Sequence, residues 1–384
     1  MMIDNLYSIP KVAIIAILSG RSGISRTVST IVHYFLSKVT VIALGKSLYQ
    51  NYYEEFPNST KVVIIPFSSK LPRLISLWMT SILRDINVLN PHYPGGAILS
   101  AFVKLLTLGK CKNVWLVYDR EEVNLIARKS RRKFIFRVLL RINAIDVILV
   151  LDNSVKAYVK KVLKTDKIVT VRVGIHPNMV KNYYILNEND KPNRFLISRQ
   201  AINIFFHGIL IPRRRLEDLI LALAKVKEKI PRQIVLYISG SLKTDPAYVS
   251  YIRELVEKVK LSENVTFLGE INDFELSMMY KCVDIFVWPC DEQTWGLAPL
   301  EAMFFGKPTI VSKGSGVSEV LNEEVAILVQ PRNPQALADA LIRLIEDNRL
   351  REFLGKKAHE YVANNFTYKN TGKSLEVVFY KILE

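Results

Sequence analysis

Short apolar runs alternate with longer amphipathic stretches along nearly the whole chain. That alternation constrains the fold more than any other feature. In the first half the runs are Val12–Ile17, Val39–Ala43, Val62–Pro66, Asn87–Leu89, Val114–Val117, Val147–Leu151 and Ile168–Val171. Each is too short for a helix, and most are rich in Val, Ile and Leu, as strands buried on both faces are. Helical periodicity fills most intervals, for example Ile24–Leu36, Leu71–Ile86 and Val123–Ile142. Strands alternating with helices predict a doubly wound, mostly parallel α/β sheet. The polar segment Tyr184–Gln200 breaks the pattern and reads as a linker. A second series follows, with strands at Ile202–Phe206, Ile234–Ile238, Val265–Leu268, Asp284–Val287, Thr309–Val311 and Ala326–Val329. Helices are expected at Leu216–Lys229, Tyr248–Lys260 and Phe274–Lys281, with two more at the C-terminus. A chain of 384 residues exceeds one ordinary core, so the expected division is 1–190, 191–365 and a final segment 366–384.

Charge separates the halves. The net charge is +17; residues 1–190 hold 27 Lys and Arg against 12 Asp and Glu, and residues 191–384 hold 26 against 24. A basic first half implies an anionic partner: lipid headgroups, nucleic acid or a phosphorylated acceptor. No apolar run approaches the roughly 18–20 residues that span a bilayer. Val12–Leu18 reads as a buried strand rather than a signal-peptide core. The three cysteines, Cys111, Cys282 and Cys290, have no metal-ligand spacing and read as reduced, which favours the cytoplasm. Phosphate loops of the G-x-x-x-x-G-K-[ST] and G-x-G-x-x-G kinds, H-E-x-x-H, Asp-x-Asp and the Gly-x-Ser-x-Gly elbow are all absent.

The chemistry concentrates where the strand Asp284–Val287 runs into Asp291–Pro308, a stretch holding Gln293, Trp295, Gly296 and Glu301 before a helix starting near Pro299. Ligands of open α/β sheets bind beyond the carboxyl ends of strands. Gly296 lets backbone approach a ligand, and the helix start favours a phosphate. Gln293 can reach sugar hydroxyls, and Glu301 can accept hydrogen bonds from vicinal hydroxyls such as those of a ribose. The bland alternative is a helix with a dipole-friendly Glu in its first turn.

Gln293-Thr294-Trp295-Gly296-Leu297-Ala298-Pro299-Leu300-Glu301-Ala302-Met303, followed by Gly306-Lys307-Pro308, resembles the Glu-x7-Glu region of glycosyltransferase family 4. Phe206-His207-Gly208 with Arg213-Arg214-Arg215-Leu216-Glu217-Asp218-Leu219 resembles the family's Gly-Arg-x4-Lys-Gly segment. Val265-Thr266-Phe267-Leu268-Gly269, Lys313-Gly314-Ser315-Gly316 with Glu319-Val320, and Val171-Arg172-Val173-Gly174-Ile175 are similar to further family segments in the same order. The resemblance implies a GT-B fold of two facing Rossmann-like domains, the first for the acceptor and the second for the donor. It also implies retaining transfer of a hexose from a nucleotide sugar, with no cofactor and no metal. The final helix, Tyr368–Leu383, would cross back to the first domain. Glu301 would hold the ribose. Gln293, Thr294, Trp295, Gly296 and Leu297 would meet the diphosphate and sugar. Arg214 would take the place of a phosphate-binding Lys, and backbone at Gly208, Gly240 and Gly269 would border the nucleotide.

Three departures stand out. Gln293 replaces the first motif Glu. Ile209 replaces an Arg, leaving Arg213 or Arg215 to compensate. Glu121 stands at the His of a Tyr-Asp-x-His-Glu stretch, here Tyr118-Asp119-Arg120-Glu121-Glu122. Candidates for the missing catalytic group are Asp119, Glu121, His92 and Arg214. Asp119, Glu121 and Glu122 either bind an acceptor hydroxyl or pair with the basic helix after them. His92, in Asn90-Pro91-His92-Tyr93-Pro94-Gly95, either serves the site or stabilises a turn. Gly20 and Gly23 either let the first loop approach the sugar or acceptor, or form a plain strand-to-helix turn.

The helix after Glu122 carries Lys129, Lys133, Arg137 and Arg141 at four-residue spacing, thickened by Arg128, Arg131 and Arg132. Phe134, Ile135, Val138, Leu139 and Ile142 are expected on the opposite side, with Phe136 and Leu140 near the flank. A basic amphipathic helix reads as binding an anionic membrane surface. The alternative is a helix covering the sheet with its charge solvated. A nucleic-acid partner would want aromatics interleaved with the stripe, and aliphatics back it instead. The expectation is a cytoplasmic, peripheral-membrane transferase acting on a glycan or lipid-linked acceptor and binding no nucleic acid. A non-catalytic relative that retains nucleotide-sugar binding is the other reading, kept open by Gln293 and the missing His.

Overall fold

The structure is a computed structural model, and it describes residues 12–16, 31, 34, 39–44, 61–65, 86–91, 94–106, 108–109, 111–186, 197, 200–292 and 295–384. The chain forms two compact units, residues 1–176 with 368–384, and residues 177–367.

The first unit is built on a seven-stranded sheet in the order β3-β2-β1-β4-β5-β6-β7. Its strands are β1 Val12–Ala16, β2 Val39–Leu44, β3 Lys61–Ile65, β4 Val88–Pro91, β5 Lys112–Val117, β6 Val147–Val150 and β7 Ile168–Thr170. All pairings are parallel, and Val12 of β1 sits in register with Val39 on one side and Val88 on the other. The described helices are α1 Pro94–Leu106, α2 Arg120–Ala127, α3 Ser130–Arg141 and α4 Asn153–Leu163. The expected helices Ile24–Leu36 and Leu71–Ile86 lie largely or wholly outside the described residues.

The single helix expected over Val123–Ile142 is two, because the chain turns extended at Lys129 (φ −117°, ψ 107°). The turn re-aims α3. Phe136, Leu139 and Leu140 enter the core against Ala97, Ala101 and Trp115, while Phe134, Ile135 and Ile142 are exposed. The expected division of faces is therefore corrected, and so is the four-residue basic stripe. Arg137 is half-buried and donates to the Val162 carbonyl at 3.0 Å, so it belongs to the α3–α4 packing.

Chain segment 177–185 joins the second unit, ahead of the expected boundary at 190. Its helix, α5 Pro177–Ile185, buries Met179 and Asn182; the Asn182 amide donates to Ser277 Oγ at 3.0 Å, and Tyr183 packs on Phe304 and His359. The second unit carries a six-stranded parallel sheet in the order β10-β9-β8-β11-β12-β13. Its strands are β8 Ile202–His207, β9 Ile234–Ser239, β10 Val265–Gly269, β11 Ile285–Trp288, β12 Thr309–Ser312 and β13 Ile327–Val329. The helices are α6 Leu216–Lys229, α7 Pro246–Lys258, α8 Asp273–Cys282, α9 Leu297–Phe304, α10 Pro334–Glu346 and α11 Asn348–Asn365. A last helix, α12 Tyr368–Leu383, belongs to the first unit. There Gly174 N–H donates to Thr371 Oγ1 at 2.7 Å, and a Cβ on Gly372 would lie 1.9 Å from the Tyr34 ring. Three helices thus follow β13 rather than two, because Asp347 ends α10 and its side chain caps α11.

Candidate functional site

In the second unit the chain leaves β8 toward β9 and leaves the neighbouring β11 toward β12, in opposite directions. Such a switch point opens a crevice at the carboxyl edge of the sheet. Gly208 follows β8, Gly240 follows β9 and Gly269 ends β10. Gly208 N–H donates to the Ser239 carbonyl at 3.0 Å, and Gly240 N–H to the Gly269 carbonyl at 2.9 Å. A Cβ on Gly240 would lie 1.9 Å from the Gly208 oxygen, at a φ of +151°. Only glycine allows this approach. The result is a bare backbone ledge along three adjacent strand ends.

The loop after Gly208 makes a single 3₁₀ turn, Pro212–Arg214, and leaves it through Arg215 in the left-handed region (φ 53°). That geometry sends three consecutive arginines different ways. Arg215 pairs with Glu217 at 2.7 Å and Asp218 at 2.9 Å. Arg213 is half-buried, and its enclosed Nε has no partner. Arg214 points inward and is 7% exposed. Its guanidinium lies 4.8 Å from the Trp288 ring centre, and its Nη1 donates to Cys290 Sγ at 3.7 Å. No carboxylate among the described residues pairs with Arg214, and its Nε is also enclosed without a partner. Burial lowers its pKa from the ordinary value, partly offset by Cys290; burial in turn pushes the Cys290 thiol up to about 11. A buried cation with unused donors and no counterion is arranged to receive an anion.

Trp288, the last residue of β11, holds the arrangement together. It stacks on Phe206 at 5.8 Å, and its Nε1 donates to Ser315 Oγ at 3.0 Å. Added Cβ atoms on Gly208 and Gly296 would each come within 3.3 Å of its ring system. Gly296 is the N-cap of α9 and supplies no side-chain cap, so the positive end of that helix lies beside Trp288 and is open to an acceptor group. The Trp295 ring turns toward Phe366 at 5.9 Å, which leaves its backbone as its contribution here.

α9 begins at Leu297, so Glu301 lies beyond its first turn, correcting the dipole reading. Its side chain is fully buried and accepts a hydrogen bond from Tyr280 Oη on α8 at 3.1 Å. A buried carboxylate oriented by a phenol is fixed in place before any ligand arrives.

In the first unit, Asp119 follows β5 and caps α2, accepting from Glu122 N–H at 2.9 Å. Glu121 is exposed. Glu122 is enclosed at its Oε2 without a partner, and burial, with Asp119 beside it, raises its pKa well above the ordinary range. Gly20, Gly23, His92, Gln293 and Thr294 lie outside the described residues. Lys129, Arg132 and Arg141 are exposed and Lys133 is half-buried.

Trp288, Cys290, Tyr280 and Ser315 went unassigned in the sequence reading. Position at the end of a strand abutting the motif could have flagged Trp288 and Cys290. Nothing local marks Tyr280, which reads as part of a covering helix.

Residues 187–361 match the family described as Glycosyl transferases group 1. An uncharacterized glycosyltransferase of Methanocaldococcus jannaschii is 28% identical over 239 residues, 61% of this chain and 60% of that protein. The chain spans 60% or less of the length of the first curated relatives it matches. A glycosyltransferase structure from Rickettsia africae superposes with a TM-score of 0.79 at 18% identity, covering 98% of this chain and all of that one. The Anabaena Alr3699/HepE structure in complex with UDP and glucose superposes at 0.76 with 14% identity, covering 97% of this chain and all of that one. These likenesses show the GT-B fold, with a Rossmann-like parallel sheet in each unit. The family match itself is confined to residues 187–361, less than half of the chain.

Proposed function

We propose that the chain is a retaining glycosyltransferase, moving a hexose from a nucleoside diphosphate sugar to a hydroxyl of a glycan or lipid-linked acceptor at the cytoplasmic surface of a membrane. The observation that carries the donor assignment is Arg214, a buried guanidinium with no carboxylate partner among the described residues, set at the sheet's switch point near the uncapped start of α9. A diphosphate supplies the missing counter-charge. The glycine ledge at Gly208, Gly240 and Gly269 admits the nucleotide against bare backbone, and Glu301 receives the ribose hydroxyls. In this reading the bond from the anomeric carbon to the diphosphate oxygen breaks, and the acceptor oxygen bonds to the same face of the sugar. The acceptor proton passes to the departing phosphate. Arg213, Arg214 and the α9 N-terminus stabilise the charge that develops there, the kind of pre-placed electrostatics that lowers such barriers most. Glu122 is a carboxyl of the first unit whose pKa burial raises. UDP-glucose is the first donor to try, since a structure with the same fold binds UDP and glucose.

The test is thermal shift and donor hydrolysis over a panel of UDP-, GDP- and ADP-sugars, with Arg214→Ala and Glu301→Ala alongside. The expected result is stabilisation by one nucleotide class, lost in both variants, with slow hydrolysis. Binding without turnover on any acceptor would identify a non-catalytic relative. No response to any nucleotide would sink the donor site.

A further inference from the structure

The first unit exposes apolar side chains where a soluble surface would carry polar ones. Phe102 is 55% exposed on α1, Leu108 is 90% exposed just after it, and Phe134 is 67% exposed on α3. Leu105, Ile135 and Ile142 are exposed as well. These residues belong to neighbouring elements. Ala97 and Ala101 of α1 share one core cluster with Phe136, Leu139 and Leu140 of α3. Lys104, near the end of α1, donates to the Asn143 carbonyl and to the Asp146 carboxylate, each at 2.6 Å, fastening α1 to the turn after α3. Leu105 and Leu108 therefore flank the same seam as Ile142.

Cations border this apolar seam. Residues 123–145 hold seven Lys and Arg and no Asp or Glu. Arg128, Lys129, Arg131, Arg132 and Arg141 are exposed, with no ion pair to any described residue. A second copy of the chain would set these cations against their own kind. A nucleic acid would use the charge and leave the aliphatic side chains stranded in water. An anionic bilayer satisfies both: headgroup phosphates meet the cations, and the apolar side chains enter the boundary between headgroups and acyl chains.

We infer that the α1–α3 seam is the membrane-docking surface, with Phe134, Ile135, Leu105 and Leu108 inserting and Arg128, Lys129, Arg131 and Arg132 binding phospholipid headgroups. This face differs from the four-residue stripe, since Arg137 is held within the protein. The inference rests on the proposal that the chain works at a membrane surface.

The experiment is co-sedimentation of the full chain with vesicles of phosphatidylcholine alone or mixed with phosphatidylglycerol, at low and high salt. Nucleotide-induced thermal shift on the same samples reports folding and the donor site. Each cation near such a surface is worth about fivefold in partitioning. Arg128→Gln/Arg131→Gln/Arg132→Gln should therefore weaken binding to anionic vesicles by roughly a hundredfold. Leu108→Ser/Phe134→Ser should bind at low salt but be stripped at a salt concentration that leaves the parent chain bound. Both variants should keep the parent's nucleotide response. Variants that bind as tightly as the parent would overturn the seam assignment. A parent chain that ignores anionic vesicles would overturn the membrane proposal while leaving the donor site standing. Preferential binding to a DNA duplex that displaces vesicles would also overturn it.

Discussion

Replacing Arg214 by Met should affect stability and binding in opposite senses. In the free protein the guanidinium is buried with no carboxylate partner among the described residues, its Nε is enclosed without a partner, and Trp288 lies 4.8 Å away. An enclosed charged donor left unsatisfied costs about 1–3 kcal/mol or more, and a desolvated cation–π contact returns about 2 kcal/mol. Methionine fills similar space, removes the charge and keeps a favourable sulfur–aromatic contact. The net change should be about 0 to 1 kcal/mol in favour of the variant, so Tm should stay put or rise by roughly 2–4 °C in a unit of this size. Binding should move the other way. Two charge-assisted hydrogen bonds to a diphosphate are worth about 3–5 kcal/mol, which is a loss of roughly two to three and a half decades in affinity. Titration calorimetry with the responding nucleotide sugar measures the second quantity, and a melt without ligand measures the first. Arg214→Lys should fall between, keeping charge but losing the bidentate fork. Undiminished nucleotide affinity, or a ligand-free Tm lowered by more than about 6 °C, would show that Arg214 is a structural residue and refute the reasoning.

Gly240→Ala would push its Cβ to 1.9 Å from the Gly208 oxygen at a φ of +151°. Overpacking costs about 1–3 kcal/mol and strained backbone about as much again, so denaturant melts should show a large loss and the ledge should lose nucleotide binding. Glu122→Gln should change stability in a pH-dependent way. The neutral carboxyl's contribution is fully present below its unfolded value, near 4.5, and is lost as pH rises through the raised folded value. The glutamine variant's Tm advantage should therefore be near zero at acid pH and grow with pH, and a gap that shrinks instead would show that Glu122 has a cationic partner. Tyr280→Phe removes the donor at 3.1 Å from Glu301 and should cost about 1.5–3 kcal/mol; unchanged melting would mean that Glu301 needs no such orientation. Gly372→Ala would set a methyl 1.9 Å from the Tyr34 ring, and limited proteolysis should then release α12; an α12 as protected as the parent's would count against the docking.

Local periodicity carried the architecture. Every strand expected from its short Val- and Ile-rich run exists within a residue or two, because a parallel strand buried on both faces needs little more than that run. The strand ends at which a site is to be sought were also legible, since carboxyl ends of strands can be read in order along the chain. What tertiary structure decided was direction. Arg213, Arg214 and Arg215 are the same residue three times over; a 3₁₀ turn and a left-handed Arg215 send one inward and give another to Glu217 and Asp218. Asp119, Glu121 and Glu122 are likewise indistinguishable in sequence, and the cap of α2 takes the first, solvent the second and the interior the third. The break at Lys129 turned Phe134 outward and Phe136 inward, against the face that a continuous helix would present. Partners distant in sequence fixed others: Trp288 for Arg214, Val162 for Arg137 and Tyr280 for Glu301. A sequence states which side chains are available, and only packing determines which of them water can reach.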